Sequence, residues 1–384
     1  MFAGVFSRGG AAEQVSARAW LQAMLDTEAA LTRACAHAGV IPSAAAEAIG
    51  EACSAGCFDV EVIGLDAAGG GNPVIPLVRA LRAQVPPEHA EHVHHGATSQ
   101  DILDTAAMLV ARRALAPILD DAAGAAAACV ALAEAHRGAV VIGRTLLQQA
   151  LPTTFALKVC EWLSGIDEAR TAVANTAERV LAVQLGGPVG TLAGYDGKGI
   201  AVASALARQL GLADPALPWH TVRVRPAALA GSLALLTGAL GKAGRDVTLM
   251  AQDEVGEARE RGGEGRGGSS SMTHKRNPVA AVAVVACAQR VPGLVATIHA
   301  AMLQEHERAA GAWHAEWETL SDILRLTGAA AAWGREMLEH LEVDRDRIRA
   351  NLDAAVARIG LEALDLGAAD ALVDRALAEH KETP

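Results

Sequence analysis

The sequence predicts an all-α protein organised around a bundle of long helices, and three observations carry that prediction. Hydrophobic residues make up 51% of the 384 residues but aromatics only 3%, so the core is built mainly of Ala, Leu and Val. Ala and Leu are the strongest helix formers. Long apolar-patterned stretches cover about 101–135, 152–182, 198–211, 226–261, 278–310 and 313–340, and such lengths suit near-parallel helices in a bundle. Few β-branched alternating runs, the mark of a half-buried strand, interrupt them.

In chain order the sequence divides into three parts: a helical domain over 1–95, a central long-helix bundle over 96–340 and a short helical domain over 341–384. In the first, Trp20, Met24, Leu25, Ala29 and Leu31 recur near helical spacing, and Gly39 with Pro42 ends that helix. Gly69 to Pro76 (GGGNPVIP) is a break, and Pro86-Pro87 is another. In the second, the uncharged run from Pro226 to Gly241 reads as a helix enclosed by other helices. It is shorter than the roughly 20 residues that span a bilayer. The Gly/Ser stretch 261–271 (RGGEGRGGSSS) reads as a mobile loop between strong helices, where a functional element would sit. In the third part Gly360 and Gly367 punctuate the helices.

Charge and cysteine usage narrow the function classes. Thirty-three basic against 44 acidic residues give −11, which argues against nucleic-acid partners, since these need Lys and Arg to replace counterions. A local basic cluster can still serve an anionic substrate. The N-terminus lacks the basic, apolar and small-residue succession of a secretory signal, and six Cys are scattered (35, 53, 57, 129, 160 and 287). Both features predict a cytoplasmic protein with reduced thiols and no membrane partner. Cys53 and Cys57 lack a second pair that would complete a zinc site.

Four motifs carry chemistry. The first is His94-His95-Gly-Ala-Thr98-Ser99-Gln100-Asp101-Ile-Leu-Asp104-Thr105. Thr98 or Ser99 caps the helix that follows, and hydroxyls beside free N–H groups at a helix start bind carboxylates. His89, His92, His94 and His95 invite a metal reading, but their spacing fits no familiar site. The second runs from Gly143 to Thr154, GRTLLQQALPTT. Here Arg144 is either a carboxylate clamp or a salt-bridged structural arginine, and Pro152 suits a first helical turn. The third, Gly267 to Pro278 (GGSSSMTHKRNP), sets turning glycines, three hydroxyls, two fixed cations and an amide together. That composition suits an anion nest and matches neither a Walker loop nor a dinucleotide fingerprint. The fourth is Gln304 to Trp317, QEHERAAGAWHAEW. On a helix, Glu305 and Arg308 share a face, as do Trp313 and Trp317.

Together the stretches TSQDILDT, GRTLLQQALP and GSSSMTHKRNP resemble the three signatures of the fumarase/aspartase superfamily, over nearly the whole chain. GNPVIPLV (71–78), PWHT (218–221) and the fourth motif look like its muconate-lactonising branch. The resemblance implies a three-domain all-α fold and a homotetramer with a twenty-helix core, each site taking its motifs from three subunits. It implies no metal and no organic cofactor. By position, Ser269 matches the catalytic loop serine. Lys275 and Asn277 match a substrate-handling pair, with Lys275 expected to be catalytic. His94, Thr98 and Ser99 match the first-motif binding groups. Arg144, Thr145, Gln148, Gln149 and Ser270 complete the expected carboxylate-binding set.

Two departures bear on the reaction. Amine-eliminating relatives carry histidines where this chain has Leu146 and Gln149, and Met272-Thr273 stands where Met-Pro is usual. The C-terminal domain is also short beside many members. Expelling an amine or hydroxide requires a general acid, whereas a carboxylate, whose conjugate acid has a pKa near 4, leaves without one. The expected reaction is therefore cofactor-independent cycloisomerisation of 3-carboxy-cis,cis-muconate to a lactone. The same logic leaves open a competing reading, a lyase that releases fumarate by elimination of another good leaving group, of the nitrosuccinate or adenylosuccinate type. A non-catalytic protein on this fold is argued against by the presence together of Ser269, Ser270, Lys275 and Asn277.

Overall fold

The computed structural model describes residues 1–383 apart from 263–265, 269, 270, 273, 274 and 362. Among these, two short turns of helix, α1 (Ala3–Phe6) and α2 (Ala11–Gln14), precede α3 (Ala17–His37), α4 (Ser43–Ala52), α5 (Val60–Gly70) and α6 (Val74–Gln84). The long α7 (Ser99–Ala135) leads to a hairpin, β1 (Val140–Thr145) and β2 (Gln148–Thr154). After it come α8 (Phe155–Val180), α9 (Gly199–Leu210), α10 (Val224–Met250), β3 (Ala258–Glu260), α11 (Val279–Ala300) and α12 (Ala312–Glu339). The chain closes with β4 (Leu341–Val343), α13 (Arg345–Ile359) and α14 (Ala369–Glu382).

The helical prediction holds, and α7, α8, α10, α11 and α12 form the expected bundle. In it α11 lies between α10 and α12, α7 packs on α8 and α12, and α3 packs on α7 from the N-terminal side. Buried Ala and Leu dominate these contacts, for example Ala106, Leu109, Ala126, Leu233, Leu240, Ala330 and Leu326. Small side chains bring the helix axes close, as dense interiors require. Ser16 caps α3 through the Ala19 amide, 3.2 Å from its hydroxyl, and Asp59 caps α5 by accepting from Glu61 and Val62 at 3.0 and 3.1 Å.

Four expectations need correction. The stretch 152–182 begins as strand, with Pro152 paired to Ile142 in the hairpin. Its β-branched residues, Val140, Val141, Ile142, Thr153 and Thr154, favour that state. Helix α10 stops at Met250, not near 261, and turns follow, in which Gly256 takes φ 62°. Helix α11 stops at Ala300, so Glu305 and Arg308 sit in a loop and share no helix face. Finally, α10 is not enclosed on all sides: Val224 is 58% and Leu235 60% exposed, as is Val282 of α11 at 54%. By length and composition alone α7, α10 and α11 are each long and apolar enough to cross a membrane. Here each packs one face into the bundle, and α7 buries Asp101 and Asp104 within it.

Candidate active site

The first motif is built where α7 begins. Asp101, fully buried, accepts from Thr98 N–H at 2.9 Å, from Gly186 N–H at 3.0 Å and from Gly187 N–H at 2.9 Å, and its Oδ1 lies 2.6 Å from His220 Nε2. The carboxylate thus closes half of a capping box and ties the 181–187 segment to the helix start. One turn on, Asp104 receives Arg223 at 2.7 and 3.0 Å, Gln100 at 3.1 Å, Gln184 at 3.2 Å and Trp313 Nε1 at 3.0 Å. Arg223 also donates to Glu316 at 2.6 Å through Nη2, and Gln304 reaches Glu316 at 3.1 Å. Burial disfavours the Arg223 cation, but Asp104 and Glu316 outweigh it and raise its pKa. Burial also raises the Glu316 pKa, against the pull of Arg223.

Two of the three segments that suggested the lactonising branch join this network directly. PWHT supplies His220, whose carbonyl accepts from Gln100 at 2.8 Å. The fourth motif supplies Gln304, Trp313 and Glu316, while Arg308 donates to the Gly187 carbonyl. The third segment is tied on through His314 Nε2, which lies 3.0 Å from the Gly71 carbonyl oxygen. Trp313 and Trp317 do share a face of α12, with ring centroids 4.8 Å apart at 84°. Sequence reading missed Asp104, Gln184, Arg223 and Glu316 as one unit, because their chain separations leave no local pattern.

His94 stands at the rim of the network. Its backbone takes φ 63°, rare for a residue with a Cβ, and its Nδ1 lies 2.6 Å from Glu28 Oε1. Gly96 follows at φ 68°, and a Cβ there would come 2.7 Å from the Tyr195 ring, so glycine is required. Thr98 and Ser99 are half-buried at the helix start. Of the histidines in the metal reading, His94 takes a carboxylate partner. Among the described residues no group of three His, Cys, Asp or Glu is placed to hold a metal ion.

The second motif is a hairpin whose tip projects. Thr145, Leu146, Leu147 and Gln148 are exposed, Leu146 at 96% and Leu147 at 74%. Both leucines have positive φ, 50° and 64°. Arg144 gives Nη1 and Nη2 to Glu257 at 2.9 and 2.7 Å, and Asn351 supports Glu257 Oε1 at 2.9 Å. Of the two readings open for Arg144, this geometry fits the structural one: its clamp closes on an internal carboxylate. Gln149 Oε1 accepts from Arg358 at 2.7 Å.

The third motif is a loop tied at its ends. Asn277 N–H donates to the Gly267 carbonyl at 2.8 Å, and its side-chain amide reaches the same oxygen at 3.2 Å. Gly267 has φ 64°. Glu260 accepts from Ala280 and Ala281 N–H at 3.1 and 2.7 Å, closing the first turn of α11. Lys275 is exposed, and its amide donates to the Met272 carbonyl at 3.2 Å. Ser269, Ser270, Thr273 and His274 lie outside the described residues.

Among the described residues the three motifs draw on three separate neighbourhoods. The first binds to Glu28 and to the 184–187 and 220–223 segments. The second binds to Glu257 and Arg358, and the third closes mainly on itself, with Glu260 at its base.

Comparison with known proteins adds family evidence. Residues 10–293 match the model of a lyase family. The chain is 48% identical over 356 residues to the 3-carboxy-cis,cis-muconate cycloisomerase of Bradyrhizobium diazoefficiens, spanning 92% of this chain and 79% of that protein. It is 46% identical over 356 residues to the nitrosuccinate lyase of Streptomyces davaonensis, spanning 90% and 75%. The crystal structure of the 3-carboxy-cis,cis-muconate lactonizing enzyme from Pseudomonas putida superposes with a TM-score of 0.92 at 38% identity, covering 100% of this chain and 99% of that one.

Proposed function

The chain belongs to the lyase family, within the fumarase/aspartase superfamily, and from that premise we propose that it closes 3-carboxy-cis,cis-muconate to a carboxymuconolactone without a cofactor. That reaction would place it in the cytoplasmic degradation of protocatechuate. The observation that carries the reading is the hairpin tip. Leu146 and Gln149 occupy positions where amine-eliminating relatives hold histidines, and Leu146 with Leu147 offers an apolar, non-titrating surface. A site built with that tip has no general acid there, and lactone chemistry asks for none, since its leaving group in reverse is a carboxylate.

In the proposed mechanism one substrate carboxylate adds to the conjugated double bond and closes the five-membered ring. The electron pair moves onto a second carboxylate as an enolate-like species, and the adjacent carbon then takes a proton. Lys275 stabilises the developing charge, a role shared with the backbone N–H groups of Gly268 and Ser270. Ser269 carries the proton. His94, Thr98, Ser99, Thr145, Gln148, Gln149 and Asn277 hold the carboxylates in reactive geometry. Arg144 serves by fixing the hairpin base to Glu257.

The active unit is proposed to be a homotetramer with sites shared between subunits, its core formed by the 96–340 segment between the 1–95 and 341–384 domains. Two features support this. The three motifs lie in separate neighbourhoods of one protomer, and Val224, Leu235 and Val282 leave apolar stripes on α10 and α11 that partner helices would cover.

The test is an ultraviolet assay that follows loss of the conjugated diene of 3-carboxy-cis,cis-muconate in the presence of EDTA, with nitrosuccinate run in parallel. Decay to a lactone supports the reading. Nitrite release from nitrosuccinate with no diene loss would move the assignment to the lyase reading that the Streptomyces davaonensis relative favours.

A further inference from the structure

Glu28 stands outside every motif of the sequence, yet it is a fully buried partner of a proposed substrate-binding side chain. It lies on α3 with its side chain 0% exposed, and His94 opposite is 16% exposed. Oε1 meets His94 Nδ1 at 2.6 Å, while Oε2 is buried and has no hydrogen-bond partner. A buried carboxylate that spends one oxygen on a single ring and leaves the other unpaired is costly unless that ring carries the compensating charge. The ring in turn sits on a left-handed backbone, a strain kept where surrounding contacts over-determine the geometry. Arg82 of α6 contributes by donating to the carbonyl of Val93 at 3.2 Å, just before the strained residue.

We propose that Glu28 is a positioning residue: its carboxylate grips His94 by Nδ1, fixes the ring as an imidazolium and leaves Nε2–H to donate to a substrate carboxylate. The inference rests on the binding role given to His94 above. The surrounding charges agree with it. Burial acts against the imidazolium, but Glu28, by charge and hydrogen bond, and Asp101 of α7 outweigh both burial and the opposing Arg82, so the His94 pKa is raised. The other groups that face the pair are engaged elsewhere or held uncharged. Tyr195 is held neutral by burial and the nearby acids, and Cys35 of α3 is pushed up to about 12 by burial and then Glu28. His220 is already engaged by Asp101, and His95 packs edge-on to Tyr195 at 6.2 Å.

The experiment has two readouts. In the first, Glu28→Gln and Glu28→Asp are compared with the parent enzyme for KM and kcat on 3-carboxy-cis,cis-muconate from pH 5.5 to 8.5. The expected result is a KM raised about tenfold at pH 8 in Glu28→Gln, converging on the parent at pH 5.5, with kcat much less affected and Glu28→Asp restoring most of the loss. Parallel pH profiles, or a loss confined to kcat, would overturn the proposal. In the second, the His94 ring is titrated by NMR in histidine-labelled protein and assigned with His94→Gln. The midpoint in the parent should exceed the ordinary 6.5 and fall in Glu28→Gln. A parent midpoint at or below 6.5 overturns the proposal, whether or not the variants fold. The titration needs no turnover, so failure of the muconate assignment and failure of the Glu28 role are separable.

Discussion

The start of α7 and the tip of the β1–β2 hairpin differ in how complete each is within one protomer. At the start of α7 the buried carboxylates of Asp101 and Asp104 are each met by several donors, drawn from segments up to 209 residues away in sequence. At the tip, two leucines with positive φ stand in solvent, where a two-residue hairpin turn ordinarily takes Asn-Gly. The first region is a finished scaffold. The second bears an apolar surface and a backbone strain that nothing among the described residues explains, which is the state of an element shaped to sit against something else. The difference separates residues that hold the site from residues delivered to it.

The strongest way to break the scaffold is Arg223→Met. It leaves Asp104 and Glu316 facing each other without their shared cation, and losing one partner of a buried ion pair costs about 3–5 kcal/mol. Urea denaturation should show that loss together with collapse of activity. A change below about 1 kcal/mol would mean that solvent reaches the network and screens it.

The tip is broken in the opposite sense. Replacing Leu146-Leu147 by Asn-Gly relieves the left-handed strain, about 1–2 kcal/mol per residue, so the hairpin should be no less stable. Activity should nevertheless fall on the order of a hundredfold, the size expected when a positioning element is lost. Full turnover in that variant would show that the leucines are ornaments of the turn.

A third variant sharpens the boundary between the regions. The folded-state pKa of His94 is raised above its unfolded value. Its stabilising contribution is therefore complete below the unfolded value near 6.5 and disappears as pH rises through the folded value. His94→Gln should cost about 1–3 kcal/mol near pH 6 and progressively less toward alkaline pH, measured as the difference in Tm between variant and parent. A difference that grows with pH would reverse the assignment of charge to the Glu28–His94 pair.

Legibility in the sequence follows the same division. The bundle was readable because Ala- and Leu-rich stretches such as 101–135 repeat with helical period over many turns, and α7 spans Ser99–Ala135. The first motif was readable because a cap is local: Thr98 and Asp101 are three residues apart. The hairpin was missed because Leu-Leu gives no turn signal, although Val140-Val141-Ile142 offered a strand signal. The loop 301–311 was misread as helix because the apolar run continues past Ala300 into Met302 and Leu303, while the charges of 305–308 gave the only warning. The pairings of Glu28 with His94 and of Arg223 with Asp104 and Glu316 have no sequence signature, although Glu316 itself lies in the fourth motif. Each of these residues is polar and intelligible only through a partner tens to hundreds of positions away.

The smallest expected effect concerns what supports the hairpin. Besides the buried packing of Ile142 against Leu352 and Ala355, two polar contacts tie it to the C-terminal helix α13: Gln149 with Arg358 at the surface, and Arg144 through Glu257 to Asn351 beneath. The first is exposed, so it should contribute at most about 1 kcal/mol, and Arg358→Ala should leave kcat within about twofold of the parent. Glu257 is 2% exposed and carries the bidentate arginine, so Glu257→Gln should weaken both stability and kcat more than Arg358→Ala does. If the two variants prove equal, the Glu257 clamp adds nothing to the β-ladder and to the packing of Ile142 on Leu352 and Ala355.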